Sequence, residues 1–311
     1  MRRFIGVSVF CAVQAVALSA QAPAPAGQVV GVGTFIHVVA NLDKTMRFYG
    51  DGLGLERTGA PGPRAFSVNA VVENLYDAKG SQSRVAAFKI PGSPLGVEFV
   101  EFQGVAQTAV RRRLQDPGAS LLAVPVSDVQ AVLRKLKEDG APGVGEGIVE
   151  DPDGFFIQPV PTVRAKLTLT VESLDRTLHV FHDLLGFEPE GGRDSTHDKA
   201  LLKTLGFATG SYKSAFSHVP GTSFEVEFLE MAGVPRQTHD AAIHDPGSGV
   251  LRLASRDVDR LLGTLKAAGV PVASAGGAPV DVGGRHFVIL RDPDHFYFQL
   301  VPAPNPAAAA K

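Results

Sequence analysis

Leu42-Asp43, Thr45, Gly54 and Glu56 recur later in the chain, in the same order and at the same spacing, as Leu174-Asp175, Thr177, Gly186 and Glu188. Pro91-Gly92, Glu98, Glu101, Asp116-Pro117-Gly118 and Asp128-Val129 return as Pro220-Gly221, Glu227, Glu230, Asp245-Pro246-Gly247 and Asp257-Val258. Asp151-Pro152-Asp153, Phe155 and Gln158 reappear as Asp292-Pro293-Asp294, Phe296 and Gln299. A fold for this chain must therefore be one that can be built twice in tandem. The stretch from Asp257 to Asp292 is longer than its counterpart from Asp128 to Asp151, and the surplus falls between Gly269 and Asp292. Copy one is expected to lack a hairpin there.

Within each copy, alternation and helical spacing give strand, helix, strands, twice over. Thr34 to Val39 alternates as a strand, and Leu42, Met46, Tyr49 and Leu53 follow at helical spacing until Gly54. Val129, Val132, Leu133 and Leu136, closed by Gly140, form a second apolar stripe, mirrored by Val258, Leu261, Leu262 and Leu265 with Gly269. In the strands around Glu98 and Glu227, period two turns Val97, Phe99, Val226 and Phe228 toward the helices and the two glutamates to the opposite face.

The ends read differently. Arg2 and Arg3 precede an apolar stretch to Leu18, and Ser19-Ala20 offers a small-residue cleavage site, so residues 1–20 read as a secretory signal and the mature protein as periplasmic or secreted. Cleavage would remove the only cysteine, Cys11, and with it disulfides, thiolate metal sites and cysteine nucleophiles. It would also take Arg2 and Arg3 from the 30 basic side chains that stand against 32 acidic ones, a balance that speaks against nucleic acid as a partner. Downstream, no apolar run is long enough for a membrane span. Residues 21–30 read as a flexible lead and 303–311 as a disordered Pro/Ala tail. The two copies are expected at residues 31–161 and 162–302.

Residues 41–56 (NLDKTMRFYGDGLGLE) and 173–188 (SLDRTLHVFHDLLGFE) resemble the first helix of the vicinal-oxygen-chelate family, the glyoxalase, bleomycin-resistance and extradiol-dioxygenase relatives. The Asp-Pro-Asp turns before Phe155 and Phe296, each followed by a strand, resemble the family's closing motif. The resemblance implies an α+β fold of four βαβββ half-units forming two glyoxalase-like domains with cup-shaped mixed sheets. It implies too that a divalent metal, where one is held, sits on the first and last strands of the half-units. The last-strand positions carry over to Glu98 and Gln158 in copy one and Glu227 and Gln299 in copy two; the first-strand positions fall on Thr34, Leu121, Lys166 and Val250. None is histidine, and such donors suit zinc, nickel or iron poorly.

Three readings follow. The leading one is a small apolar or aromatic molecule bound in a cup without redox metal, with Thr34, Gln158, Lys166 and Gln299 as ligand-binding residues. The second is a glyoxalase-, epimerase- or lyase-type enzyme in which Glu98 or Glu227 is a general base beside a divalent ion held by Glu98, Gln158, Glu227 or Gln299. The third is a scaffold with a degenerate pocket. A Lys166–Glu227 ion pair could stand in place of the metal, and copy two, being complete, is the favoured seat of activity. Exposed sheet edges leave a homodimer open. His37 is placed on the helix-facing side, His218 and His286 near a cup mouth, and His179 and His182 on a solvated helix face. No role is assigned to His197, His239 or His244.

Overall fold

A computed structural model describes residues 28–59, 65–196 and 199–304. Residues 1–20, expected as a signal, His197, residues 21–27 of the expected lead and residues 305–311 of the expected tail lie outside the described residues. The first half-unit runs β1 (Val29–Val38), α1 (Leu42–Met46), β2 (Glu56–Thr58), α2 (Ala70–Leu75), β3 (Gln82–Lys89) and β4 (Gly96–Gln103). The second is β5 (Ser120–Pro125), α3 (Val129–Glu138), β6 (Val149–Glu150) and β7 (Phe156–Val160). The third repeats the first as β8 (Lys166–Val171), α4 (Leu174–Leu178), β9 (Pro189–Asp194), α5 (Ala200–Thr204), β10 (Ser211–His218) and β11 (Glu225–Ala232). The fourth is β12 (Gly249–Ser255), α6 (Val258–Ala267), β13 (Val280–Asp281), β14 (His286–Arg291) and β15 (Tyr297–Pro302).

The stretch missing from copy one is a hairpin: β13–β14 in the fourth half-unit is reduced to the short β6 in the second. The first helix of each copy is shorter than its apolar spacing suggests. After α1 the chain widens into a π turn, Arg47–Gly52, and after α4 into another, His179–Leu184. The wider turn still leaves Tyr49 and Leu53 buried, as the stripe requires.

The strands form two mixed sheets, ordered β13-β14-β15-β12-β1-β4-β3-β2 and β6-β7-β5-β8-β11-β10-β9. Each sheet takes one half-unit from each copy, joined at an antiparallel seam of first strands, β1 with β12 and β5 with β8. Every first strand would otherwise be an unpaired edge. The cups are thus composite, and the last-strand positions pair across copies, Glu98 with Gln299 and Glu227 with Gln158, where the sequence reading grouped them within a copy.

The repeated motifs tie α1 and α4 each to the closing turn of its own copy, whereas α2 of copy one packs on β13 and β14 of copy two. Asp153 accepts from the Ala40 amide at 2.8 Å and the Thr45 hydroxyl at 3.2 Å, tying the closing turn of copy one to the start of α1. Asp294 does the same with the Glu172 amide and Thr177. Glu101 and Glu230 accept from the first amides of α1 and α4, at Leu42 and Leu174. The helix-facing sides of both sheets, with Phe35, Phe99, Phe181, Phe228 and Phe298 fully buried, share one core.

The connections between half-units brace the sheets against each other. The Val110 amide donates to Pro246, and Gly247 has φ +93 at a place where an added Cβ would overlap the Val110 carbonyl oxygen. Gly247→Ala combines that clash with a left-handed backbone, and a loss of about 2 kcal/mol or more is expected in urea unfolding.

Candidate functional site

Glu227 stands on the concave face of the seven-stranded sheet, 1% exposed, as the strand alternation predicts. Burial alone would favour its neutral form. Three groups converge on it instead. Lys166 Nζ of β8 lies 3.0 Å from Oε2, Thr168 donates to the same oxygen at 3.2 Å, and Arg193 of β9 donates to Oε1 at 2.6 Å. Burial pushes the carboxyl up, but the Lys166 and Arg193 charges more than offset it, so Glu227 titrates below its ordinary 4.5. Both cations also lie over the Phe216 ring, at 5.8 and 5.3 Å from its centroid.

Above this trio lies a cavity of about 230 Å³ walled by Leu121, Leu201, Leu205 and Leu229 with the Gln158 side chain at its side. Lys166 and Gln158 also line an outer chamber of about 420 Å³ that His218 and Val163 border. Among the described residues, no group hydrogen-bonds the Gln158 amide. The α5 helix lies across the inner cavity, and the copy-one loop meets it where the Glu146 amide donates to Thr204 at 2.9 Å.

The cup of the eight-stranded sheet uses the same position differently. Arg252 of β12 grips Glu98 with both terminal nitrogens at 3.1 Å and donates Nε to Gln299 at 2.7 Å. Thr34 lies on β1, the strand between those of Arg252 and Glu98, and its buried hydroxyl has no hydrogen-bond partner. The rest of the cup is filled: Ile36, Val38, Val100, Val250, Ile289 and Tyr297 pack on Leu75 and Tyr76 at the end of α2. The β13–β14 hairpin supplies a wall for α2 to pack against, and the reduced β6 leaves the other cup without that wall. The open cup therefore belongs to the sheet that contains the shortened half-unit, and neither copy owns it alone.

The family's metal does not fit either donor set. In one cup a guanidinium already spans both Glu98 oxygens and the Gln299 oxygen; in the other an ammonium and a guanidinium occupy both oxygens of Glu227. A divalent ion at either place would sit against fixed positive charge. Leu121 and Val250 offer no donor, and among the described residues no cluster of three or more His, Asp or Glu side chains could hold a metal.

His37 is fully buried on the helix-facing side, stacked on Phe155 at 3.5 Å and kept below its ordinary pKa by burial, far from any cup. His286 turns to Asp259 of α6 rather than to a cup, and His179 pairs with Asp183 on the exposed face. Arg193, Arg252 and Thr168 are the site residues that sequence reasoning missed. Arg252 was findable, since period two along β12 puts it on the same face as Val250, and its equivalent in copy one is Ala123. Arg193 lies in the Pro-Glu-Gly-Gly-Arg-Asp edge strand, which has no strand signal.

Two open mixed sheets built from repeated βαβ units, each with a polar anchor at the floor of its cup, define a glyoxalase-type fold. The sequence profile of the Glyoxalase/Bleomycin resistance protein/Dioxygenase superfamily matches residues 31–158 and 164–300, and the chain belongs to that superfamily. Among solved structures, glyoxalase I from Zea mays superimposes with a TM-score of 0.56 at 17% identity, covering 89% of this chain and 92% of that one. A putative dioxygenase from Bacillus subtilis gives 0.55 at 16% identity over 92% and 89% of the two chains. At such identities the likeness is one of fold. No curated protein matches the sequence.

Proposed function

We propose that this chain is exported, binds a small molecule in the open cup of the seven-stranded sheet and holds no resident metal there. The Glu227–Lys166–Arg193 trio carries this reading, because it fills with fixed protein charge the position the family resemblance gives to a metal ligand. The leucine walls suit an apolar or aromatic body. Lys166 Nζ and the Gln158 amide suit a carbonyl or carboxylate oxygen at its inner end.

The enzymatic reading fares worse on the same geometry. A general base works best with its pKa raised toward neutrality, whereas Glu227 is held below its ordinary value by two cations. Glu98 is clamped by Arg252 under a filled cup.

A thermal-shift screen of aromatic carbonyl and carboxylate compounds tests the proposal. A hit should persist in chelator and weaken by about tenfold or more in Gln158→Leu and Lys166→Met. A hit lost on chelation, or indifferent to both substitutions, would sink it.

A further inference from the structure

On the helix side of copy two, away from both cups, a groove of about 660 Å³ runs between the π turn His179–Leu184, the end of α6 and the Asp292-Pro293-Asp294 turn. Val180, Val270 and Pro271 give it apolar walls, and Asp292 lines it while being only 4% exposed. One Asp292 oxygen accepts the Asp294 and Phe296 amides at 2.9 and 2.8 Å. Among the described residues, nothing hydrogen-bonds the other.

Copy one has the same groove, also of about 660 Å³, lined by Asp151. There the first oxygen again takes two turn amides, and the second accepts the Tyr49 hydroxyl at 3.0 Å. His37 Nδ1 stands 3.8 Å from that oxygen. In the repeat, Tyr49 becomes Phe181 and His37 becomes Leu169. Copy two thus keeps the buried acid and has lost both polar neighbours, a costly arrangement for a group that nothing in the turn requires to be charged.

The basic side chains around the groove do not supply the missing partner, because each is engaged elsewhere. Arg176 pairs with Glu172 at 2.6 Å, His179 with Asp183 at 2.9 Å, and Arg291 with Asp240 and His295. The partner that fits is a donor carrying positive charge on an apolar body. A bare metal ion needs several oxygens, and among the described residues the groove offers, besides Asp292, only the Asp175 carboxyl, with Arg176 and Arg291 beside them.

We propose that this groove is a second ligand site, which takes a small organic amine whose ammonium group donates to the free oxygen of Asp292 while its apolar part lies on Val180, Val270 and Pro271. Burial and the neighbouring Asp294 charge raise Asp292 to about 8, so an amine bound near neutral pH displaces the carboxyl proton, and the contact is fullest just above that pH. The proposal is independent of the cup: it uses the opposite side of the sheet and a different charge.

Calorimetric titration of the folded chain with benzylamine tests it, with benzyl alcohol as the uncharged probe of the same shape. One benzylamine should bind per chain, and benzyl alcohol should bind about tenfold more weakly or worse. Asp292→Asn keeps the oxygen that accepts the turn amides and should lower benzylamine affinity by about tenfold or more. Phe181→Tyr should do the same by placing in the carboxyl's reach the hydroxyl that copy one has, and Arg193→Met in the cup should leave binding unchanged. Melting curves check that each variant is folded. Unaltered affinity in Asp292→Asn, equal binding of benzyl alcohol, loss of binding in Arg193→Met, or no saturable uptake at millimolar benzylamine would each overturn the proposal.

Discussion

Replacing Lys166 and Arg193 together by methionine should destabilise the protein by about 3–5 kcal/mol near neutral pH, the usual cost of leaving a buried charge unpaired. Glu227 is 1% exposed and its two strong partners are these cations, each about 30% exposed in its side chain. With both gone, only the Thr168 hydroxyl remains within reach of the carboxylate. The pH dependence gives the sign. In the native protein Glu227 is held below its ordinary 4.5, so its contribution to stability is present above that value and fades as pH falls through the folded pKa. In the double variant the folded pKa rises instead, so the deficit should be greatest at neutral pH and shrink toward pH 4. Adding Glu227→Leu to the double variant should recover most of the loss, because an apolar group of similar volume needs no partner. Urea unfolding at pH 7 and pH 4 measures all three proteins. A double variant as stable as the native protein at pH 7 would show that the trio is not a buried charge cluster.

Asp292→Asn should do the reverse and stabilise. Burial first, and the Asp294 charge second, raise Asp292 to about 8 from 3.8, so the unfolded chain ionises this group well before the folded one does. For an acid raised on folding, the contribution is most favourable below the unfolded pKa and is lost as pH rises toward the folded one. The native protein should therefore lose stability between about pH 4 and pH 8, and the asparagine variant should gain roughly 2–5 kcal/mol over it at pH 8 and almost nothing at pH 4. Asp151→Asn is the internal control. Asp151 accepts the Tyr49 hydroxyl on its second oxygen, so its replacement should cost about 1 kcal/mol rather than stabilise. Equal effects at the two positions would mean that the loss of Tyr49 and His37 from copy two has no energetic consequence.

Much of the architecture was legible in the chain because it is written twice. The recurring helix starts, the closing Asp-Pro-Asp turns and the gap before Asp151 gave four half-units, one of them short, and the strand alternation gave the direction of Glu98 and Glu227. The partnering of half-units was not legible. Pairing β1 with β12 or with β5 would satisfy the same open edge, and no local pattern distinguishes the two. The consequence reaches the site, since the exchange puts Gln158 with Glu227 and Gln299 with Glu98. It also gives the open cavity to the sheet with the shortened half-unit rather than to copy two.

The ion pair of Lys166 with Glu227 was readable because β8 and β11 are neighbours within one half-unit, as first and last strand. Arg252 grips Glu98 across the seam between copies, and that contact needs the exchanged topology before it can be seen. The Asp151–Tyr49 pair and its loss around Asp292 were visible only as residue differences between copies. Their meaning came from burial, which turns a conservative-looking Tyr to Phe change into an unsatisfied carboxyl.

Metal content of the protein, purified without chelator or affinity nickel and measured by mass spectrometry beside Glu227→Gln, tests the central claim most directly. A cup floored by an ion pair predicts no stoichiometric divalent metal in either protein. About one divalent ion per chain, lost in Glu227→Gln, would contradict it and show that Lys166 and Arg193 yield the carboxylate to a cation.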